Sequence, residues 1–372
     1  LQYVRVTVDL SAIRHNLRQA RSILGPGVGI TGVVKSDAYG HGLVPVAKAL
    51  EEEMIDFLGV AYLEEGILLR SAGIKSPILI MCGLNGSEEC REAIAHDLTP
   101  VLFDPGSIRT LSLEAAKLGR VVPLQLKVDT GMGRLGVLPR DVKPLLEEIR
   151  QSPTLNLQAI MSHLSSADEP DDEFTLFQLS RFKEVMVVAE AMKLRLPFSS
   201  IANSAGLLLH TKTHMAMVRP GIMLYGYVPG SESRVKPVLR PAMRFCGRVI
   251  QIKVLESGSP VSYGRTHYTS GSTMVAIASG GYGEGLLRSM SNKAFALIRG
   301  KKVPVIGTIC MNMTICDITA LTELPAVGDE VVFLGTQGAE SINAQNLAAW
   351  SDTIPYEIIC SIGQRHHREY TT

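Results

Sequence analysis

The 372-residue sequence has no block of like charge, no long apolar run and no paired cysteine motif. A formal net charge of +1 and the want of any basic cluster leave no electrostatic pull toward nucleic acid or anionic lipid. No apolar stretch reaches the roughly 20 residues that a helix needs to cross a bilayer, so no membrane partner is indicated. The start, Leu1-Gln-Tyr-Val-Arg5, lacks a charged segment followed by an apolar secretory core, and the expectation is a cytoplasmic chain. Six cysteines (Cys82, Cys90, Cys246, Cys310, Cys316 and Cys360) are scattered without metal-ligand spacing, mostly in apolar segments where a reduced thiol behaves as a small hydrophobe. That pattern argues against a structural disulfide or a zinc site. Internal repeats and low-complexity segments are missing as well.

What is present describes a well-filled globular protein, 46% hydrophobic and 20% charged. Its length exceeds one comfortable core, which predicts two domains. Between Val28 and Pro220, apolar runs alternate with helical patterns. The runs are Val28–Val34, Phe57–Ala61, Pro77–Met81, Thr99–Phe103, Val121–Val128, Leu157–Ser162, Phe198–Ala202 and Met215–Val218. Eight strands with amphipathic helices between them read as an α/β TIM barrel, preceded by a helix at Ser11–Leu24. From about Lys236 the texture turns β-rich, with one short helix at Asn343–Trp350, and the polar stretch Pro229–Arg234 marks the boundary. The alternating Tyr3–Asp9 reads as a strand of that second part. The predicted division is 10–232 for the barrel and 1–9 plus 233–372 for a β-rich C-terminal domain.

In a TIM barrel the reacting groups gather at the carboxyl ends of the strands. Here those ends carry Lys35, Lys127 with the loop to Arg134, His163, Asn203-Ser204 and Arg219-Pro-Gly-Ile222. Lys35 leaves an apolar strand and meets the turn Ser36-Asp-Ala-Tyr-Gly40, a place where a low dielectric favours a neutral, nucleophilic amine and Schiff-base chemistry. The turn at Gly221 and Ile222 offers backbone N–H groups to a phosphate, and Ser204 adds a hydroxyl. A phosphate there, with an amine at Lys35 across the barrel mouth, describes pyridoxal 5′-phosphate. Arg134 suits a substrate carboxylate. Taken singly, each has a plainer reading: a snorkelling lysine, a structural histidine, an arginine capping a carbonyl, a solvated arginine in a glycine turn.

The ordered motifs carry more. They are Val8-Asp-Leu-Ser-Ala-Ile-Arg-His-Asn16, Val33-Val-Lys-Ser-Asp-Ala-Tyr-Gly-His-Gly42, Lys127–Gly136, Ala202-Asn-Ser-Ala205, Val218–Gly226, Val261-Ser-Tyr-Gly264, Gly281-Tyr282, Cys310-Met311 and Pro355-Tyr-Glu357. On these the chain resembles the alanine racemases, fold-type III pyridoxal-phosphate enzymes, from Tyr3 to about Ile362. The resemblance implies a homodimer in which the β-rich domain of one subunit covers the barrel mouth of the other. It implies Lys35 and the partner subunit's Tyr263 as two bases on opposite faces of the substrate Cα, with His163 bonded to that tyrosine and Arg219 joining His163 to the pyridine nitrogen. It assigns the cofactor to Lys35, Tyr39, His163, Asn203, Ser204, Arg219, the N–H groups of Gly221 and Ile222, and Tyr356. The substrate carboxylate falls to Arg134 and the N–H of Met311, with Lys127 at a position often carbamylated. Asp168, Tyr282 and Arg288 match residues of the entrance. The implied reaction interconverts L- and D-alanine, supplying D-alanine for peptidoglycan.

Departures from the family pattern cluster in the second domain. Cys310-Met-Asn-Met313 stands where Cys-Met-Asp-Gln is usual, Thr308 where arginine is common, and Glu284 where aspartate is usual. They keep open a racemase that prefers serine or accepts several amino acids. A decarboxylase or D-amino acid dehydratase of the same fold type fits less well with Lys35, Tyr263 and Arg219 together. A pyridoxal-phosphate protein without turnover resembles the barrel alone.

Overall fold

The computed structural model describes residues 3–230 and 237–372, so the boundary anticipated at 232/233 lies outside the described residues. Two units are present: one holds Ile13–Ala38 and Leu43–Arg240, the other the residues up to Ala12, Tyr39–Gly42 and Pro241–Thr372.

After β1 (Arg5–Asp9), the first unit contributes β2 (Gly29–Val33), β3 (Phe57–Val60), β4 (Ile78–Ile80), β5 (Thr99–Leu102), β6 (Val122–Lys127), β7 (Leu155–Met161) and β8 (Met217–Val218). These seven strands of the unit run parallel in the order β7-β6-β5-β4-β3-β2-β8. The sheet curls toward closure through a single residue: Ser200 bridges Met161 on one side and Met217 on the other. The expected strand at 198–202 is thus reduced to a bridge. Its ladder is irregular because the Ser199 hydroxyl accepts the Ile160 N–H at 3.1 Å, a bond that a regular ladder would give to a carbonyl.

Strands covered on both faces read as continuous apolar runs, and β3 and β4 are buried throughout. The connecting helices present one apolar side; in Val142–Gln151 it is Val142, Leu145, Leu146 and Ile149. Phe57, Leu79, Val101, Met161 and Met217 pack together with Met81 and Phe198, and the Phe57 and Phe198 rings meet edge to face at 4.9 Å. Since all strands run the same way, their carboxyl ends open on one rim.

The second unit is a nine-stranded sheet. Its strands after β1 are β9 (Met243–Leu255), β12 (Thr273–Ser279), β13 (Phe295–Ile298), β14 (Lys301–Pro304), β15 (Met313–Asp317), β16 (Glu330–Gln337), β17 (Glu340–Ile342) and β18 (Arg368–Thr371), while β10 (Pro260–Val261) and β11 (His267–Tyr268) form a separate ribbon. β1 pairs with β9 and β18. The long β9 serves β1 and β16 with its first half and β12 with its second. Gly247 sits at the changeover, where an added Cβ would lie 1.9 Å from the Ser279 carbonyl oxygen, so only glycine fits.

Two helices close this unit, Ala344–Ser351 and Pro355–Gly363, and sequence periodicity anticipated the first alone. Ile358-Ile-Cys-Ser-Ile362 is rich in β-branched residues and looks like a strand. Pro355 at the first turn starts a helix instead, with Ile358, Ile359 and Ile362 on its buried side. Gly363 lets Tyr39–Gly42 approach: a Cβ there would be 1.9 Å from the Gly40 oxygen. Among the described residues no helix is long and apolar enough to cross a membrane.

Tyr225, at the end of the short 3-10 helix Ile222–Tyr225, donates its hydroxyl to the Val33 carbonyl at 2.9 Å, both buried, tying that helix to the strand that ends before Lys35. Tyr225→Phe should lower unfolding free energy by about 1–3 kcal/mol, the usual loss on stranding a buried acceptor. Chemical denaturation checks this, and an unchanged midpoint would remove the tie.

Candidate active site

Lys35 follows the buried pair Val33-Val34 and is itself half-buried. The four residues after it are all left-handed: Ser36, Asp37, Ala38 and Tyr39 have φ between 53° and 55°. None is glycine, and each L-residue so placed costs about 1–2 kcal/mol, so the turn exists only because other groups hold it. Ala38 N donates to Val34 O at 2.8 Å. Asp37 Oδ1 accepts Leu43 N at 2.7 Å, and Glu65 accepts Ser36 N at 2.6 Å. The sequence reads here as a polar turn ending in glycine, and it carries no sign of the strain at 36–39.

Lys127 is buried at the end of β6, a second strand-end amine whose burial the sequence did not mark. Burial holds the Lys127 ammonium well below the usual lysine range, and the Arg219, Arg134 and Lys35 cations add to the effect while Asp129 alone opposes it. The loop after it is built by Asp129, whose Oδ1 accepts Gly131 N at 2.8 Å and Gly133 N at 3.2 Å. Gly136, with φ 137°, closes the loop where a Cβ would meet Asp129 N at 2.3 Å. Arg134 projects from this loop, exposed, with no hydrogen-bond or ion-pair partner among the described residues.

Arg219 is buried at the end of β8 and surrounded by neutral acceptors. It donates to Ser200 Oγ, to Ser162 O at 2.5 Å and to Ile201 O at 3.3 Å. Its Nη2 also lies 3.3 Å from His163 Nδ1. A guanidinium only donates, so Nδ1 must accept and the imidazole proton sits on Nε2. Burial first, then the Lys127, Arg219, Arg134 and Lys35 charges, push the His163 pKa well below its ordinary value, so the ring is neutral. Ser162, next to His163 at the strand end, was in view in the sequence, whereas the role of Ser200 in holding Arg219 was missed; a serine within an apolar run was the available signal.

Asn203 caps the helix Ser204–Leu209, accepting Gly206 N at 2.9 Å and donating to Leu164 O at 3.1 Å, so its amide is engaged by backbone. Ser204 Oγ accepts Gly221 N at 2.9 Å and Met223 N at 3.4 Å, which leaves its own proton to donate. Gly221 N is thereby turned to Ser204, while Ile222 begins the 3-10 helix. Asp168 is exposed on the loop after β7.

In the other unit, Tyr39 and Tyr356 face each other with ring centroids 6.0 Å apart. Burial first, then the neighbouring Tyr356 and Cys360, raise the Tyr39 phenol pKa strongly, so it stays protonated. Tyr263 and Met311 are 70% and 56% exposed although both are large and apolar in part. Ser262, just before Tyr263, has φ 63° and ψ −170°, a region otherwise reserved for glycine. Its hydroxyl donates to Thr308 O at 2.5 Å, and Thr308 Oγ1 donates to Tyr263 O at 2.8 Å. Glu284 accepts Asn312 Nδ2 at 2.6 Å and Gly281 N at 2.9 Å, so two of the unusual residues pair with one another beside Tyr282. Arg288 is exposed on the 3-10 helix Arg288–Met290.

Comparison with known proteins bears on this arrangement. Residues 8–229 match the family model described as alanine racemase, N-terminal domain, and residues 242–370 match alanine racemase, C-terminal domain. The chain is similar to the alanine racemase of Syntrophobacter fumaroxidans, 42% identical over 365 residues that cover 98% of this chain and 96% of the relative. It is 38% identical to that of Halothermothrix orenii over 363 residues, 98% of this chain and 95% of the other. Among solved structures, alanine racemase from D-cycloserine-producing Streptomyces lavendulae superposes with a TM-score of 0.94 at 33% identity, covering 100% of this chain and 98% of that one. The Bartonella henselae alanine racemase with covalently bound pyridoxal phosphate gives 0.90 at 29%, with 100% of both chains covered.

The buried cations set a pH dependence. Lys127 binds its proton more weakly folded than unfolded, so unfolding takes up protons between the depressed value and the ordinary lysine value, and stability rises with pH in that window. His163 acts in the same sense at lower pH. The cofactor-free protein should melt higher at about pH 9 than at about pH 7, and Lys127→Met should flatten the rise. Scanning calorimetry decides; parallel profiles for the two proteins would discard the effect of Lys127 burial.

Proposed function

Since the chain belongs to the alanine racemase family of pyridoxal 5′-phosphate-dependent isomerases, we propose that it interconverts L- and D-alanine with two proton carriers, Lys35 and the partner subunit's Tyr263. The observation that carries this reading is the convergence of Lys35, Lys127, Arg134, His163 and Arg219 on one barrel rim with Asp129 the one carboxylate acting against the lysine charge. The Arg219 and Arg134 guanidiniums in this group fit a ligand that carries anions, a phosphate and a substrate carboxylate. Ser204 with a proton to give, the N–H of Ile222 and the donor-only Arg219 complete a set that suits the phosphate and ring nitrogen of the cofactor. When bound, pyridoxal phosphate draws electron density from the substrate Cα and acidifies its hydrogen.

The rest falls to the protein. Racemisation needs a base on each face, because one group cannot easily remove a proton from one side of a planar carbon and return it to the other. Lys35 Nζ serves one face. The exposed Tyr263, borne on a segment pinned by Thr308, serves the other face in the neighbouring subunit. A neutral phenol is a poor base, and the Nε2–H of His163, fixed outward by Arg219, favours the ionised oxygen of the partner's Tyr263 by donating to it. Arg219 keeps its protons and presents a donor, never an acid, to the cofactor nitrogen.

Arg134 and the N–H of Met311 are assigned to the substrate carboxylate, and a carbamate on Lys127 would turn its repulsion of Arg134 into an ion pair. Tyr39, Asn203, Gly221 and Tyr356 are kept among the cofactor contacts, and Asp168, Tyr282 and Arg288 at the entrance, by family membership. A homodimer with composite sites follows from the two-base scheme. The half-exposed thiols Cys82, Cys310 and Cys360 suit a reducing cytoplasm, and D-alanine made there would serve peptidoglycan. A preference for serine is the second reading. It rests on the rebuilt Thr308, Asn312 and Glu284 contacts.

Incubating the pyridoxal-phosphate-loaded protein with L-alanine or L-serine in deuterated water, while following optical rotation and Cα deuteration, tests the proposal. Faster loss of rotation with alanine supports it, faster loss with serine selects the second reading, and no exchange with either rejects both. Tyr263→Phe should lower the rate about 10²–10⁴-fold and make Cα exchange unequal between the two enantiomers. Equal exchange from both enantiomers would reject the two-base assignment.

A further inference from the structure

Glu65 occupies the third position of the helix Leu63–Ser71 and its carboxylate gathers four backbone N–H groups. Oε2 accepts Ala61 N at 2.8 Å and Tyr62 N at 3.3 Å. That half is ordinary helix capping, in which a glutamate reaches back to its own N-terminus. Oε1 does something capping does not require. It accepts Ser36 N at 2.6 Å and Asp37 N at 3.4 Å, on the loop that follows a different strand.

These two amides open the left-handed turn. Their N–H groups point out of its first residues as they would from the start of any helix, and an ionised oxygen is the strongest acceptor available to them. Lys35 lies between Val34, whose carbonyl accepts Ala38 N at 2.8 Å, and Ser36, whose N–H is on Glu65. The direction in which the lysine side chain leaves the backbone is therefore set on one side by β2 and on the other by a carboxylate anchored in the next strand–helix unit.

We propose that Glu65 is a positioning residue for Lys35, holding the left-handed turn so that the amine is aimed before the cofactor arrives. The proposal rests on the reading of Lys35 as the residue that binds pyridoxal phosphate covalently. Glu65→Gln keeps the size but exchanges two acceptor sites for an NH2 group. Glu65→Asp keeps the charge and, being shorter, retains the nearby capping bonds at the expense of the reach to Ser36. Glu51 supplies the control: its Oε1 accepts Lys75 N at 2.7 Å, Ser76 N at 2.7 Å and Ser76 Oγ at 2.9 Å, similar chemistry at the loop leading into β4.

The experiment mixes cofactor-free protein with pyridoxal 5′-phosphate and follows the rise of bound-cofactor absorbance. Borohydride reduction and peptide mapping then locate the label, with melting temperature and alanine kcat and KM measured alongside. Both Glu65 variants should capture cofactor at Lys35 about tenfold more slowly or worse, with kcat falling and KM nearly unchanged, as expected when a reacting group is misaimed. Glu51→Gln should lose melting temperature and capture cofactor at the normal rate. Glu65 variants that behave like Glu51→Gln, or that capture cofactor normally, overturn the proposal. Label found away from Lys35 in the unsubstituted protein overturns the underlying reading of Lys35 instead, whatever the variants do.

Discussion

The first unit is organised around one buried guanidinium, Arg219, whose hydrogen-bond partners are all neutral. The acceptors around it are the Ser200 hydroxyl, the Ser162 and Ile201 carbonyls and the His163 ring nitrogen. A buried cation among neutral acceptors keeps its donors satisfied without being discharged. Other features of the site accord with that condition: a neutral histidine, a serine with a spare proton and, among the described residues, an Arg134 without a hydrogen-bond or ion-pair partner.

Strain is distributed in parallel with charge. The residues following Lys35 and the residue preceding Tyr263 both lie in backbone regions that L-residues avoid. In each case hydrogen bonds to other residues of the same unit hold the segment: Glu65 for one, Thr308 for the other. Thr308 thus takes part in how Tyr263 is carried, and Asn312 and Glu284 form one hydrogen-bonded pair.

Much of this was legible in the sequence, for reasons that can be named. Two-sided burial makes parallel strands continuous apolar runs, so β2 to β6 stood out, and strand ends with lysine, histidine and arginine marked the rim. The segment around Ser200 did not hold as a strand because serine hydroxyls compete with ladder bonds. The helix Pro355–Gly363 was not anticipated, because its isoleucines blur the helical pattern. The burial of Lys127 went unmarked for a similar reason: Lys35 and Lys127 both end apolar strands, and nothing local distinguishes the buried one. Glu65 drew no notice in the sequence, since a contact 29 positions back along the chain leaves no local pattern.

The left-handed turn has a stereochemical corollary. At residues 36–39 the Cβ of an L-residue is crowded against the following carbonyl, while its mirror image would rest there without penalty. A chain ligated with D-alanine at position 38 would hold the same backbone at lower energy and lean less on an outside acceptor. It is the handedness of the polypeptide itself, more than its composition, that obliges this segment to be held from a neighbouring helix.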